Sequence, residues 1–131
     1  MMSIIDSVKE RLEENDNVVF AYVYGSYARG KGTRFSDLDI AVFLRDCGYE
    51  PFMELLAELP VDVDVEFDVR VLNDAPPLFR YNVVREGKLL FVKDKGIHET
   101  FVYDTLVSAL ELREDLISMK EERLRRILDA L

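Results

Sequence analysis

The spacing of hydrophobic positions changes several times along this chain, and each change marks an element. Over residues 3–14 apolar side chains fall at Ile4, Ile5, Val8 and Leu12, the three-and-four spacing of one helix face, with Ser3 placed as its N-cap. Asn15-Asp16-Asn17 breaks that pattern, and residues 18–24, VVFAYVY, are apolar, β-branched or aromatic throughout, which predicts a buried strand. Asp37-Leu38-Asp39 then leads into a second apolar run over residues 40–44. Residues 51–59 predict a helix, with Pro51 in its first turn, Phe52, Leu55, Leu56 and Leu59 apolar, and Pro60 as its stop. Residues 61–72 alternate well. Val61, Val63, Val65, Phe67, Val69 and Val71 share one parity, and Asp62, Asp64, Glu66, Asp68 and Arg70 share the other, as expected of a strand with one core face and one acidic face. A short helix over 76–85, a strand over 88–92 and a charged turn over 93–96 follow.

From residue 97 to 131 there is no glycine or proline, so one helix can run to the end. Tyr103, Leu110, Ile117, Leu124 and Leu131 recur along it every seven residues. At 1.5 Å per residue it would span about 50 Å, against roughly 30–35 Å for a domain of this size. Such a helix must bend or project, and a projecting apolar seam calls for another helix, from a partner or from a second copy in a homo-oligomer. The element order predicts an α/β (α+β) fold: a mixed sheet of about four strands, helices packed on one side, and a long C-terminal helix. The 131 residues read as one domain, with a core over 1–95 and a helical region over 97–131.

Composition narrows the function. With 49% hydrophobic residues the chain can build a core, and a net charge of −9 argues against broad nucleic-acid binding, which needs a basic footprint. The cations Arg29, Lys31 and Arg34 cluster in one segment instead. The single cysteine, Cys47, permits no intramolecular disulfide, and it and the lone His98 lack metal-ligand spacing, so Cys47 reads as structural or incidental and His98 as a surface residue. Residues 1–15 mix charged and apolar types unlike a secretory leader, and no apolar run approaches the roughly 20 residues of a membrane helix. The expected setting is the cytoplasm.

The chemistry concentrates between residues 18 and 44. Gly25 ends the first strand and, lacking a side chain, lets the backbone approach a ligand closely. Ser26 follows where a short helix would begin, a place whose free N–H groups favour an anion. Asp37 and Asp39 lie one residue apart, so on a strand both point to one face. A buried strand accepts that repulsion when a cation or a hydrogen-bond network offsets it, and paired hard oxygen ligands suit Mg²⁺. A triphosphate could run from the glycine turn to the aspartates, bridged by metal. A third carboxylate from a neighbouring strand would complete such a site, and the acidic face of residues 61–72 offers several.

Gly25-Ser26, ten residues, then Asp37-Leu38-Asp39 resembles the signature of the polymerase-beta-like nucleotidyltransferases. The short chain resembles their minimal members, the partners of helical HEPN-type proteins in prokaryotic toxin–antitoxin pairs. The wording Gly25-Ser26-Tyr27-Ala28-Arg29-Gly30 and the segment from Asp68 through Leu72-Asn73-Asp74-Ala75-Pro76-Pro77 carry the likeness further. The resemblance implies the polymerase-beta-like fold, with ATP as substrate and Mg²⁺ held by Asp37, Asp39 and a third aspartate. It points to Asp68 as that residue and as general base, with Glu66 the second choice. Gly25 and Ser26 would bind the outer phosphates, and Arg29 would help neutralise departing pyrophosphate. The implied reaction is transfer of AMP to a hydroxyl of a HEPN-type toxin. The alternatives are a module that neutralises its partner by contact alone, and a transferase acting on a small antibiotic.

Overall fold

The computed structural model describes residues 3–25, 37–62 and 64–131. It contains α1 (Ile4–Glu14), β1 (Val18–Tyr24), β2 (Leu38–Leu44), α2 (Tyr49–Glu58), β3 (Phe67–Val71), α3 (Pro77–Glu86), β4 (Lys88–Val92) and α4 (Lys95–Asp129). The four strands form one sheet in the order β3-β2-β1-β4. β1 runs antiparallel to β2 and β4, while β2 and β3 are parallel. This is the mixed four-strand sheet with a long C-terminal helix that the sequence predicts.

The helices cover both faces of the sheet, not one. Val8 and Leu12 of α1 and Leu55 of α2 pack with Val18, Ala21, Ile40 and Val42 on one side. Val83 of α3 and Phe101 of α4 pack with Phe20, Tyr22 and Ala41 on the other. The reason is legible in β1, where residues 18–23 are all buried: consecutive apolar side chains point to opposite faces, so both faces need cover.

β3 is shorter than the alternation predicts. Asp62 turns the chain before the strand begins, its carboxylate accepting the Asp64 N–H at 2.8 Å. That local turn competes with sheet pairing, and Val61 stands 96% exposed instead of facing the core. Pairing starts where the Leu38 N–H donates to the Glu66 carbonyl at 2.8 Å. Helix boundaries also shift. α2 begins at Tyr49, which leaves Pro51 in the first turn where its missing N–H costs nothing. Asp94 caps α4 by accepting from the Ile97 N–H at 3.1 Å, so the expected turn at 93–96 becomes the start of the helix.

Two polar clamps hold the far end of β2 and β3. The Asn73 amide bonds both backbone groups of Leu44, donating to its carbonyl at 2.7 Å and accepting its N–H at 2.9 Å. Arg80 of α3 donates to the carbonyls of Leu72 and Asn73 and lies over the Phe101 ring, 4.9 Å from its centre. His98 is half-buried, not a surface residue: its Nε2 lies 2.6 Å from the Tyr22 hydroxyl and its ring meets Phe20 edge-on. Burial holds its pKa below the ordinary histidine value. Cys47 is exposed.

α4 runs unbroken for 35 residues, about 52 Å. Phe101 and Thr105 anchor its first part, and every residue from 113 onward is exposed. Among the described residues no helix is long and apolar enough to cross a membrane.

Candidate functional site

The register of the sheet assembles the site. Tyr24 of β1 pairs with Asp39 of β2, and Asp39 pairs with Asp68 of β3. The three therefore form a row across three adjacent strands. Side chains in such a row share a face, here the one covered by α3 and α4, because Tyr24 packs into that core. Asp37 stands two residues before Asp39, just ahead of β2, exposed and on the same side. Of the predicted ligands, Asp37, Asp39 and Asp68 thus come to one end of one sheet face. Glu66 lies before the first residue of β3 and is exposed. Ser26 and Arg29 lie outside the described residues.

Electrostatics mark Asp39 as the centre of the group. Burial pushes its pKa up, the charges of Asp68 and Asp37 push it further, and Arg70 pulls it back. Arg70 follows Asp68 by two residues on the same face, its Nε 3.6 Å from the Asp68 Oδ2. The guanidinium also lies over the Phe79 ring of α3, 5.4 Å from its centre. In this arrangement Asp68 leans on Arg70. Among the described residues no three acidic, histidine or cysteine side chains stand close enough to form a ready metal cage.

Three features bear on whether the residues present would suit a cation. The donor set is all carboxylate, the chemistry that suits Mg²⁺. The Tyr24 hydroxyl is buried beside the aspartates with no hydrogen-bond partner among the described residues, an omission that a bound ligand or its water would repair. Burial and the charges of Asp39 and Asp68 raise its pKa to about 12, so it remains a donor. Gly25 completes the cradle. It adopts φ +73°, and a Cβ there would collide with the Asp39 Oδ2. The glycine is thus required twice, for its left-handed backbone and for the space that the carboxylate fills.

Tyr24, Arg70 and Phe79 were not singled out in the sequence. Tyr24 reads there as one more strand aromatic, and Arg70 as one more polar residue of an alternating run. Only the pairing of β1, β2 and β3 places both beside Asp39. The parity of Arg70 with Asp68 was the one available signal.

Residues 6–96 match the polymerase beta nucleotidyltransferase family. Among curated proteins none matches the chain. Among solved structures, one described as a toxin–antitoxin with AMP-PNP is 25% identical, with a TM-score of 0.73 over 92% of this chain and 98% of that one. A tri-AMPylated Shewanella oneidensis HEPN toxin in complex with MNT antitoxin matches at 23% identity and TM-score 0.68, covering 92% of this chain and 96% of the other. A further structure from Shewanella oneidensis matches at 20% identity and the same TM-score of 0.68, over 95% and 99% of the two chains. The last two speak to the fold. The family match spans the glycine turn, the aspartate pair and the strand that sets Asp68 beside Asp39, and on that ground the chain belongs to the polymerase beta nucleotidyltransferase family.

Proposed function

We propose that this chain transfers a nucleoside monophosphate, AMP from ATP, to a hydroxyl on a protein partner, and that it serves as the antitoxin of a pair whose toxin is a HEPN-type helical protein. The observation that carries the reading is the register of Asp39 with Asp68, beside a glycine whose missing side chain leaves room for the Asp39 carboxylate. The toxin–antitoxin structures of like fold support the choice of partner.

Asp37, Asp39 and Asp68 would hold Mg²⁺. The bound metal would neutralise charge on the α-phosphate and on the leaving pyrophosphate. The acceptor oxygen forms a bond to the α-phosphorus, the bond from that phosphorus to the bridging oxygen of the β-phosphate breaks, and the acceptor proton passes to Asp68. Arg70, beside Asp68, would take up phosphate charge, and the Tyr24 hydroxyl would donate a hydrogen bond into the site. Gly25 and Ser26 would line the outer phosphates, with Arg29 as a second cation.

The test is incubation of the chain with α-labelled ATP, Mg²⁺ and the helical protein encoded beside it. Label should appear on a hydroxyl of that protein and vanish with Asp37→Ala and Asp39→Ala. If both variants still neutralise the toxin fully, contact alone explains the antitoxin effect and the transfer reading fails.

A further inference from the structure

β3 lies at the edge of the sheet, with β2 on one side and no described strand on the other. The Leu38 N–H donates to the Glu66 carbonyl and the Leu72 N–H to the Val42 carbonyl, each at 2.8 Å. In a parallel ladder the residues that bond the neighbouring strand alternate with those that face away. Even-numbered residues of β3 therefore serve β2, and the N–H and C=O groups of Phe67, Val69 and Val71 point outward. Among the described residues none of these groups meets a hydrogen-bond partner. Such a row is a template for one more strand.

The side chains narrow what that strand can be. Asp68 and Arg70 flank Val69 on one face, both half-exposed and of opposite charge. The contact between them is long, Nε to Oδ2 at 3.6 Å, and leaves the terminal nitrogens of the guanidinium without a hydrogen bond among the described residues. Phe67, Val69 and Val71 occupy the other face, each only partly buried. Next to them α2 presents two unlike flanks. Glu50, Glu54 and Glu58 make one, and Glu58 accepts from the Asn15 side-chain amide at 2.9 Å, so this flank looks toward the end of α1. Tyr49, Phe52, Met53 and Leu56 make the other, which looks toward the β3 edge: Tyr49 and Phe52 line a small cleft together with Val71. That flank carries no charge, yet Tyr49 is 77% and Met53 43% exposed.

We propose that two copies of this chain join their sheets through β3, antiparallel, about a two-fold axis that crosses the sheet at Val69. A two-fold interface requires that if residue i meets residue j, then j meets i. Here Val69 meets Val69, Phe67 meets Val71, and Asp68 meets Arg70 of the second copy. Val69, Phe67 and Val71 are the outward-facing residues, so each of their pairs exchanges both backbone hydrogen bonds. Asp68 and Arg70 fall at the non-hydrogen-bonded position between them, where opposite side chains approach most closely, about 4.5–5.5 Å between Cβ atoms. This ion pair forms twice. Each candidate site thereby gains a cation from the other chain, because Arg70 of the second copy stands beside Asp68. A register centred on Asp68 or on Arg70 would set like charges opposite one another and overlap a shorter outward run. On the opposite face of the joined sheet the uncharged flank of α2 meets its own copy, which covers Tyr49 and Met53.

Sedimentation velocity of the full chain at about 50 μM, in metal-free buffer, tests the proposal. The unmodified protein should sediment at twice its single-chain mass. Arg70→Asp sets two acids opposite each other and Asp68→Arg sets two cations so. Each should raise the dissociation constant at least about 100-fold, giving single chains. An equimolar mixture of the two variants restores every unlike pair and should return to double mass, as should a chain carrying both substitutions. Met53→Glu, on the exposed flank of α2 and outside the candidate site, should also give single chains with an unchanged circular dichroism spectrum. Asp37→Ala and Asp39→Ala should leave the mass at two copies, which separates this proposal from the transfer reading. A single-chain mass for the unmodified protein would overturn it. So would single swaps or Met53→Glu that stay paired, or a mixture and a double swap that both fail to pair.

Discussion

Replacing Gly25 with alanine tests the architecture of the site at one atom. At φ +73° any residue with a Cβ is strained, by about 1–2 kcal/mol. The new methyl also collides with the Asp39 Oδ2, so the carboxylate must leave its rotamer at a further cost of about 0.5–1.5 kcal/mol. Stiffening the unfolded chain returns about 0.4–1 kcal/mol. The net loss is about 2 kcal/mol. A double-mutant cycle separates the two terms. In an Asp39→Ala background the collision is gone and only the backbone term remains, so the two substitutions should couple by about 1 kcal/mol. Urea denaturation of the four proteins without metal gives the coupling, and titration calorimetry with Mg²⁺ reads the carboxylate directly. Gly25→Ala should weaken Mg²⁺ binding at least tenfold. Additive stabilities within about 0.3 kcal/mol, together with unchanged Mg²⁺ affinity, would refute the claim that Gly25 exists to seat Asp39.

Three further outcomes follow from the same geometry. Asp39 has a raised pKa, so the folded state holds its proton more tightly than the unfolded chain does. Its contribution is favourable at acid pH and is lost as pH rises through the carboxylate range. Without metal, Asp39→Asn should therefore raise the melting temperature at pH 7, and Mg²⁺ should stabilise the parent chain but not the variant. His98 has a lowered pKa, so its contribution is present above its ordinary value and is lost as pH falls through the folded one. Thermal melts between pH 5 and 8, assay conditions chosen to span the ordinary histidine value near 6.5, should show that loss, and His98→Phe should flatten it. Asn73→Ala orphans two backbone groups of Leu44 and should cost about 2–4 kcal/mol in urea unfolding at about 1–2 kcal/mol for each lost bond.

Most of the architecture was legible in the amino-acid order, because apolar periodicity reports which faces need burial. α1 with its Ser3 cap, β1 and β4 follow from local pattern alone, since each forms from contiguous residues with their own start and stop signals. Asp37 and Asp39 were legible for the same reason, standing two residues apart at the start of β2. What contiguous pattern cannot report is pairing. Whether β3 lies beside β2, and in which register, decides whether Asp68 or another acid meets Asp39, and a shift of a single residue would turn every side chain to the other face. The same pairing, not any local signal, brings Tyr24 and Arg70 into the site, and covers the second face of the sheet with α3 and α4. Asp62 shows the limit from the other direction: an alternation over residues 61–71 was cut short by one side chain closing a turn on its own backbone. Burial pattern is a local property of the chain, whereas a site is made of residues far apart in sequence, and only the folded sheet sets their distance.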